Sequence, residues 1–199
     1  MDKSREENTG MEVAGGEARA VEQELIAAAR RGDKRAFGQL IRHHQKRLFR
    51  FVLGLVGSFD QAEDIVQEAF VKAYEALGTF EMGRDFYPWL STIARNRALN
   101  LIAREERKES LDKIQEQGFD TPSTSSDPLS QVISSENQQR FFAALKSLPE
   151  QYRTVFVLRH FEELSYEEIA RQLKIARGTV DSRLYRARQL LVEALKDLL

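Results

Sequence analysis

The spacing of apolar residues constrains this chain more than any other feature. Over long stretches free of helix breakers they recur every three or four positions and almost nowhere alternate strictly, which is the period of a helix and not of a strand. From Asp33, a residue suited to capping a helix, Phe37, Leu40, Ile41, Leu48, Phe51, Val52 and Leu55 keep to one helical face as far as Gly57. After the turn Gly57-Ser58-Phe59, Asp60 with Glu63 has the form of a capping box, and Ala62, Ile65, Val66, Ala69, Phe70, Ala73 and Leu77 repeat the spacing up to Gly78. A loop from Thr79 to Asp85 leads to Phe86-Tyr87-Pro88-Trp89, where Pro88 suits the first turn of a third helix running to about Lys108. The predicted fold is all-α.

Between Glu109 and Ser130 the periodicity dissolves into Gln117-Gly118 and Thr121-Pro122-Ser123-Thr124-Ser125-Ser126-Asp127-Pro128, which holds two of the four prolines. Beyond it, Leu129 to Leu148, Pro149 to His160, Ser165 to Leu173 and Arg177 to Leu198 read as four more helices. The expected organisation is therefore a disordered extension over residues 1–20, a helical domain over 21–108, a flexible linker over 109–128 and a second small helical domain over 129–199.

Composition narrows the function classes. The 199 residues contain no cysteine, which removes disulfides, thiolate zinc sites and cysteine nucleophiles together. Met1 to Arg19 has no apolar core of a leader, and no apolar run approaches the roughly 18 residues that cross a bilayer. A cytoplasmic protein without membrane insertion is expected. The net charge of -1 gives no global sign of a polyanion partner, so only the distribution of charge can speak.

That distribution is uneven. Ser165 with Glu168 makes a capping box that starts a short helix, in which Ile169 and Leu173 face inward and small Ala170 allows a second helix to cross closely. Ile175 in the turn and Val180 beyond it fill the junction, which gives a helix-turn-helix. On its second helix Val180, Leu184, Ala187 and Leu191 point inward and leave Thr179, Ser182, Arg183 and Arg186 on the outer face, a face suited to a major groove. From Arg171 to Arg188 six basic residues stand against one acid, Asp181.

The third helix carries Trp89, Ile93, Asn96 and Asn100 along one stripe, with Arg95, Arg97, Arg104, Arg107 and Lys108 around it, and Phe80, Phe86 and Tyr87 close by. Rings that stack on bases, amides that bond their edges and guanidinium groups that hold phosphate suit single-stranded nucleic acid. The same rings also suit a core. On the second helix Glu63, Asp64, Gln67, Glu68 and Glu75 lie off the apolar stripe, as an acidic docking face or a merely solvated one. His43 and His44 project about 100° apart on a helix, and with His160 the only other imidazole they suggest no metal triad. No catalytic constellation and no cofactor motif is present, so the chain reads as a binder and not an enzyme.

Asp60 to Phe70, Phe86-Tyr87-Pro88-Trp89-Leu90, Ile93 to Asn100, and Leu164 to Arg188 with Gly178-Thr179-Val180 and Arg186-Ala187-Arg188, taken in order, resemble the bacterial RNA polymerase sigma factors of the extracytoplasmic-function group over residues 22–197. The resemblance implies that the first domain binds the polymerase clamp helices through Asp64, Gln67 and Glu68. It implies that the same domain opens the minus-10 element with Phe80, Arg84, Phe86, Tyr87, Asn96, Arg97, Asn100 and Arg104, the loop from Phe80 to Phe86 shaping a pocket. The second domain then reads minus-35 DNA with Arg177, Thr179, Asp181, Ser182, Arg183, Tyr185, Arg186 and Arg188, and touches the polymerase flap. An anti-sigma partner is implied as well. Asn100 stands where many members carry Asp, and Asp181 where many carry Lys or Arg, so Asp181 is expected to tune the choice of base. A free-standing dimeric helix-turn-helix regulator is the alternative, but it leaves the aromatic-Asn helix and the acidic helix idle. A helical adaptor that binds only protein is a third class.

Overall fold

A computed structural model describes residues 19–112 and 136–196, with side chains described for 19–105 and 136–196. Described residues are helical or in short connections, with no strand among them. A helix over residues 19–30, α1, is followed by α2 (Lys34–Val56), α3 (Phe59–Glu75), a single 3-10 turn (Leu77–Thr79) and α4 (Phe86–Asp112). The second half holds α5 (Glu136–Ser147), α6 (Glu150–His160), α7 (Tyr166–Leu173) and α8 (Arg177–Ala194). Residues 19, 20 and 109–112 are helical although the sequence pattern assigns them to the extension and the linker. The rest of those two segments, residues 129–135, over which the helix from Leu129 was expected to begin, and residues 197–199 lie outside the described residues.

Local chemistry sets the ends of these helices. The Asp33 carboxylate accepts from the amides of Arg35 at 2.8 Å and Ala36 at 3.2 Å, as its position suggested, and Gly57, at φ 70, closes α2 by donating to the Leu53 carbonyl. The capping box expected at Asp60 and Glu63 does not form. Phe59 packs its ring 4.8 Å from that of Phe49 and enters the helix itself, so Ser58 becomes the N-cap, without a side-chain bond. Asp60 is left in the first turn, where its charge still suits the positive end of the helix.

In the first half α2, α3 and α4 pack on one another. Phe37 meets Phe70 and Tyr74 edge-on at 6.5 and 4.9 Å, and α4 contributes Phe86, Leu90, Ala94 and Ala98, every fourth residue and all fully buried. The alanines let α4 lie close against its neighbours. In the second half α8 packs on α6 and α7 through Val180, Leu184 and Ala187, each fully buried. Each buried Val, Leu or Phe among these contributes about 1.5–3 kcal/mol, which is what holds short helices that would be marginal alone.

The halves touch through α2, which meets α5 and α6. Gly54 makes this possible, because a β-carbon there would sit 3.1 Å from Val157 Cγ2. Arg153 Nε donates to the Leu55 carbonyl at 2.9 Å across the seam, and the buried apolar residues of both halves form one contiguous cluster. Among the described residues no helix is long and apolar enough to cross a membrane.

Candidate functional site

The helix-turn-helix is built as its local pattern dictates. Ser165 Oγ accepts from the Glu168 amide while the Glu168 carboxylate accepts from the Ser165 amide at 2.8 Å, so α7 starts with both bonds of a capping box. The Ser165 hydroxyl and then its amide also hold the Glu168 carboxyl below its ordinary range. Lys174, at φ 54, ends α7, and the Ile175 amide bonds back to Ala170. Ala176 gives α8 no side-chain cap, leaving the amides of Arg177 and Gly178 at the open, positive end of the helix.

Along α8, Arg177, Asp181, Ser182, Tyr185, Arg186 and Arg188 are exposed, with Thr179 and Arg183 half-buried. Tyr185 is 64% exposed, unusual for an aromatic residue with no core role. Gln189 Nε2 donates to its hydroxyl at 2.9 Å, and Arg186 donates to Gln189 Oε1 at 3.2 Å, so three side chains form a polar chain on the outer face. Arg177 instead folds back on Glu167 at 2.5 Å, which anchors it at the mouth of the turn. All eight residues singled out on this helix thus lie off its buried stripe.

The eight singled out in the first half divide in two. Arg84, Asn96, Arg97, Asn100 and Arg104 are exposed. Phe80, Phe86 and Tyr87 are buried, at 3%, 0% and 6% exposure. Phe86 and Phe80 pack with Trp89 and with each other at ring separations of 5.3 to 5.8 Å. In this arrangement the three rings support the start of α4 and leave the polar edge of the helix to face outward.

Of the acidic face, Asp64 and Gln67 are exposed, but Glu68 is half-buried and already engaged. Its carboxylate pairs with Lys72 at 3.0 Å and with Arg97 at 2.5 Å, and these bonds, Lys72 first, hold its carboxyl below the ordinary range. The side chain meant for one face therefore positions a side chain of the other, a link that spacing on a single helix cannot show. Beside Gln67 runs a groove of about 650 Å³ between α2 and α3, floored by Phe37, Val66, Phe70, Val71 and Tyr74, with Val71 58% exposed.

Two further groupings join residues distant in sequence. Glu22, on α1, lies 2.8 Å from His44 Nε2, and with His43 these residues bring ligand-type atoms within 4.8 Å of one another. His44 is buried, its ring 5.4 Å from Phe86 and 5.9 Å from Tyr87, and burial pushes its imidazole below the usual range. The second grouping lies at the seam. Tyr87 Oη donates to Glu162 Oε1 at 2.9 Å, with the Arg47 guanidinium 3.8 Å above the Tyr87 ring. Burial, then the Glu162 charge, raises the Tyr87 hydroxyl well beyond its usual range.

Comparison with known proteins agrees with this layout. Residues 40–108 match the family described as Sigma-70 region 2, and residues 138–191 the one described as Sigma-70, region 4. The chain is 38% identical over 184 residues to the RNA polymerase sigma-H factor of Pseudomonas aeruginosa, covering 89% of this chain and 95% of that protein. It is 37% identical over 174 residues to the ECF RNA polymerase sigma-E factor of Escherichia coli K12, covering 84% and 91%. Among solved structures it is similar to the sigma factor RpoE of Bartonella quintana in complex with the anti-sigma factor NepR, with a TM-score of 0.59, 30% identity and coverage of 80% and 96%. It is also similar to CnrH in complex with the cytosolic domain of CnrY, with a TM-score of 0.54, 27% identity and coverage of 89% and 98%.

Proposed function

The chain belongs to the RNA polymerase sigma factors of the extracytoplasmic-function group, and from that premise we propose which of its faces carries each part of the work. As a sigma factor it binds core RNA polymerase and directs it to promoters. It is a specificity subunit that makes no covalent bond itself and works in the cytoplasm with the polymerase that supplies the catalysis. One observation carries the assignment of faces: a single chain exposes two separate polar, basic surfaces, the outer side of α8 and the outer edge of α4.

On this reading α8 lies in the major groove of the minus-35 element. Arg186, at the free end of a polar chain, reads a base edge, while Arg177 at the helix start and Arg188 hold phosphate. Asn96 and Asn100 read unpaired minus-10 bases, with Arg84, Arg97 and Arg104 along the backbone path. Capture of a few bases at about 1–3 kcal/mol each offsets stacking losses of roughly 1.4 kcal/mol per step, so binding energy alone suffices to open the strands. Phe80, Phe86 and Tyr87 act as the frame of that reader.

Asp64 and Gln67, with the apolar groove beside them, form the docking face for the polymerase clamp helices, and Glu68 contributes while orienting Arg97. The second half touches the flap. Bartonella quintana RpoE was solved with an anti-sigma factor, and on that likeness an anti-sigma protein is a partner here too. Sequencing the 5′ ends of transcripts made in vitro by core polymerase with this chain tests the function. The expected result is a set of starts that share two spaced upstream elements and vanish without the chain; starts identical to those of core enzyme alone would contradict it.

A further inference from the structure

Along one face, α1 holds the loop that leads into α4. Arg19, Gln23, Ile26 and Arg30 recur every three or four positions and so form one stripe of that helix. Ile26 is fully buried and ties α1 to the core, while the three polar side chains reach the backbone of residues 78–85. Arg30 donates to the carbonyls of Gly78 at 2.9 Å and of Phe80 at 3.4 Å. Gln23 uses both ends of its amide, donating to the Arg84 carbonyl at 2.7 Å and accepting from the Gly83 amide at 2.8 Å. Arg19 donates to the Gly83 carbonyl at 2.7 Å and pairs with the Asp85 carboxylate at 3.2 Å.

The loop's own backbone supplies little. The Phe80 amide bonds to Leu77 and the Arg84 amide to Glu81, both at 3.2 Å, and Gly83 turns the chain at φ 86. Phe80 is buried, but Glu81 to Asp85 are all exposed, so the partners that fix this stretch come from α1. They bracket Arg84. Both backbone groups of Gly83 before it, its own carbonyl and the Asp85 side chain after it are held, which sets the direction in which the Arg84 side chain leaves the loop. Its guanidinium meets the Glu81 carboxylate at 3.2 Å, a pair that exposed charges give up at little cost.

Resting on the placement of Arg84 along the minus-10 strand given above, we propose that Arg19 and Gln23 are positioning residues for Arg84: they hold the loop in shape before DNA arrives and aim the guanidinium at one phosphate of the unpaired strand. A loop already ordered loses less freedom on binding than one that the strand must order. The minus-10 reader then includes α1, which lies ahead of the residues 40–108 that match Sigma-70 region 2.

Holoenzymes carrying Gln23→Met, Arg84→Ala or both can be compared, at several salt concentrations, for affinity to a forked promoter fragment whose non-template minus-10 strand is unpaired. Methionine keeps the length of this half-buried side chain and removes both of its bonds. Arg84→Ala is expected to weaken binding about tenfold, as for a lost charge-assisted contact, and to make the salt dependence shallower by about 0.7 of a unit of slope. Gln23→Met should weaken binding several-fold and make the salt dependence shallower too, although it removes no charge. The double variant should bind no worse than Arg84→Ala alone.

Costs that multiply in the double variant, or a wild-type salt slope in Gln23→Met, would overturn the proposal, since a merely structural role for Gln23 moves the thermal midpoint and not the slope. If Gln23→Met fails to fold, Gln23→Asn, neutral and polar but one methylene shorter, is read in the same cycle. If Arg84→Ala binds as wild type does, the place of Arg84 on the strand fails first and the proposal with it. If Arg84→Ala weakens binding and Gln23→Met does not, the positioning alone is wrong.

Discussion

The two halves of the molecule present their candidate DNA surfaces in opposite ways. In the second half the residues on the outer side of α8 are solvent-facing, and the one aromatic residue among them, Tyr185, is 64% exposed. In the first half the aromatic residues near α4 are sunk into the core and only the amides and guanidinium groups reach outward. The difference follows from how each helix is held. α8 is fixed by an inward stripe one residue wide, Val180, Leu184, Ala187 and Leu191, which leaves most of its circumference free. α4 is wrapped by α2 and α3, and its N-terminal rings fill the space between them. Both helices pack on two neighbours or more, so the difference lies in which residues fill the contact: small and aliphatic side chains on α8, aromatic rings at the start of α4.

Removing one ring from each half should show that contrast by the largest amount. Phe86→Ala deletes a fully buried ring and is expected to cost about 3–5 kcal/mol in thermal or denaturant unfolding. Tyr185→Ala should leave stability within about 0.5 kcal/mol, yet reduce minus-35 binding by holoenzyme. Equal losses of stability in the two variants would contradict the contrast between the halves.

A second test concerns coupling. The Glu68 carboxylate joins the proposed docking face on α3 to Arg97 on α4. Glu68→Lys is therefore expected to weaken core binding and also to lower permanganate reactivity of minus-10 thymines on a saturated promoter, each by roughly tenfold, in line with the loss of a charge-assisted pair. Asp64→Lys should weaken core binding alone. If both variants spare strand opening once core binding is saturated, Glu68 does not position Arg97 for DNA.

The smallest effect belongs to the local device that starts the helix-turn-helix. Ser165→Ala removes one side of the capping box and should lower stability by about 1 kcal/mol, measured by denaturant unfolding, with minus-35 preference unchanged. A changed preference would mean that the cap orients α8 as well as stabilising α7.

Features whose partners lie within one or two helical turns were legible in the sequence: the Asp33 cap, the Ser165 and Glu168 box, the inward stripe of α8 and the boundaries of α6 and α7. Asp60 with Glu63 shows how such a signal fails. The same residue types stand at the right spacing, but packing of Phe59 on Phe49 starts the helix earlier. A ring beside Asn and Arg carries no local mark of whether it will meet a base or a core, so Phe80, Phe86 and Tyr87 could be placed only by the tertiary fold. The bonds from Arg97 to Glu68, from His44 to Glu22 and from Tyr87 to Glu162 join side chains 22 or more positions apart, and no periodicity encodes them.

The assignment of one promoter element to each half is tested most directly by selecting binding sites from a randomised promoter library with three holoenzymes: wild type, Asn96→Ala and Arg186→Ala. Arg186→Ala is expected to flatten preference at one minus-35 base pair, worth about 1–3 kcal/mol of discrimination, and to leave minus-10 preferences as they are. Asn96→Ala should do the reverse. If Arg186→Ala leaves every minus-35 preference unchanged, or if both variants alter the same element, the division of labour between α4 and α8 is wrong.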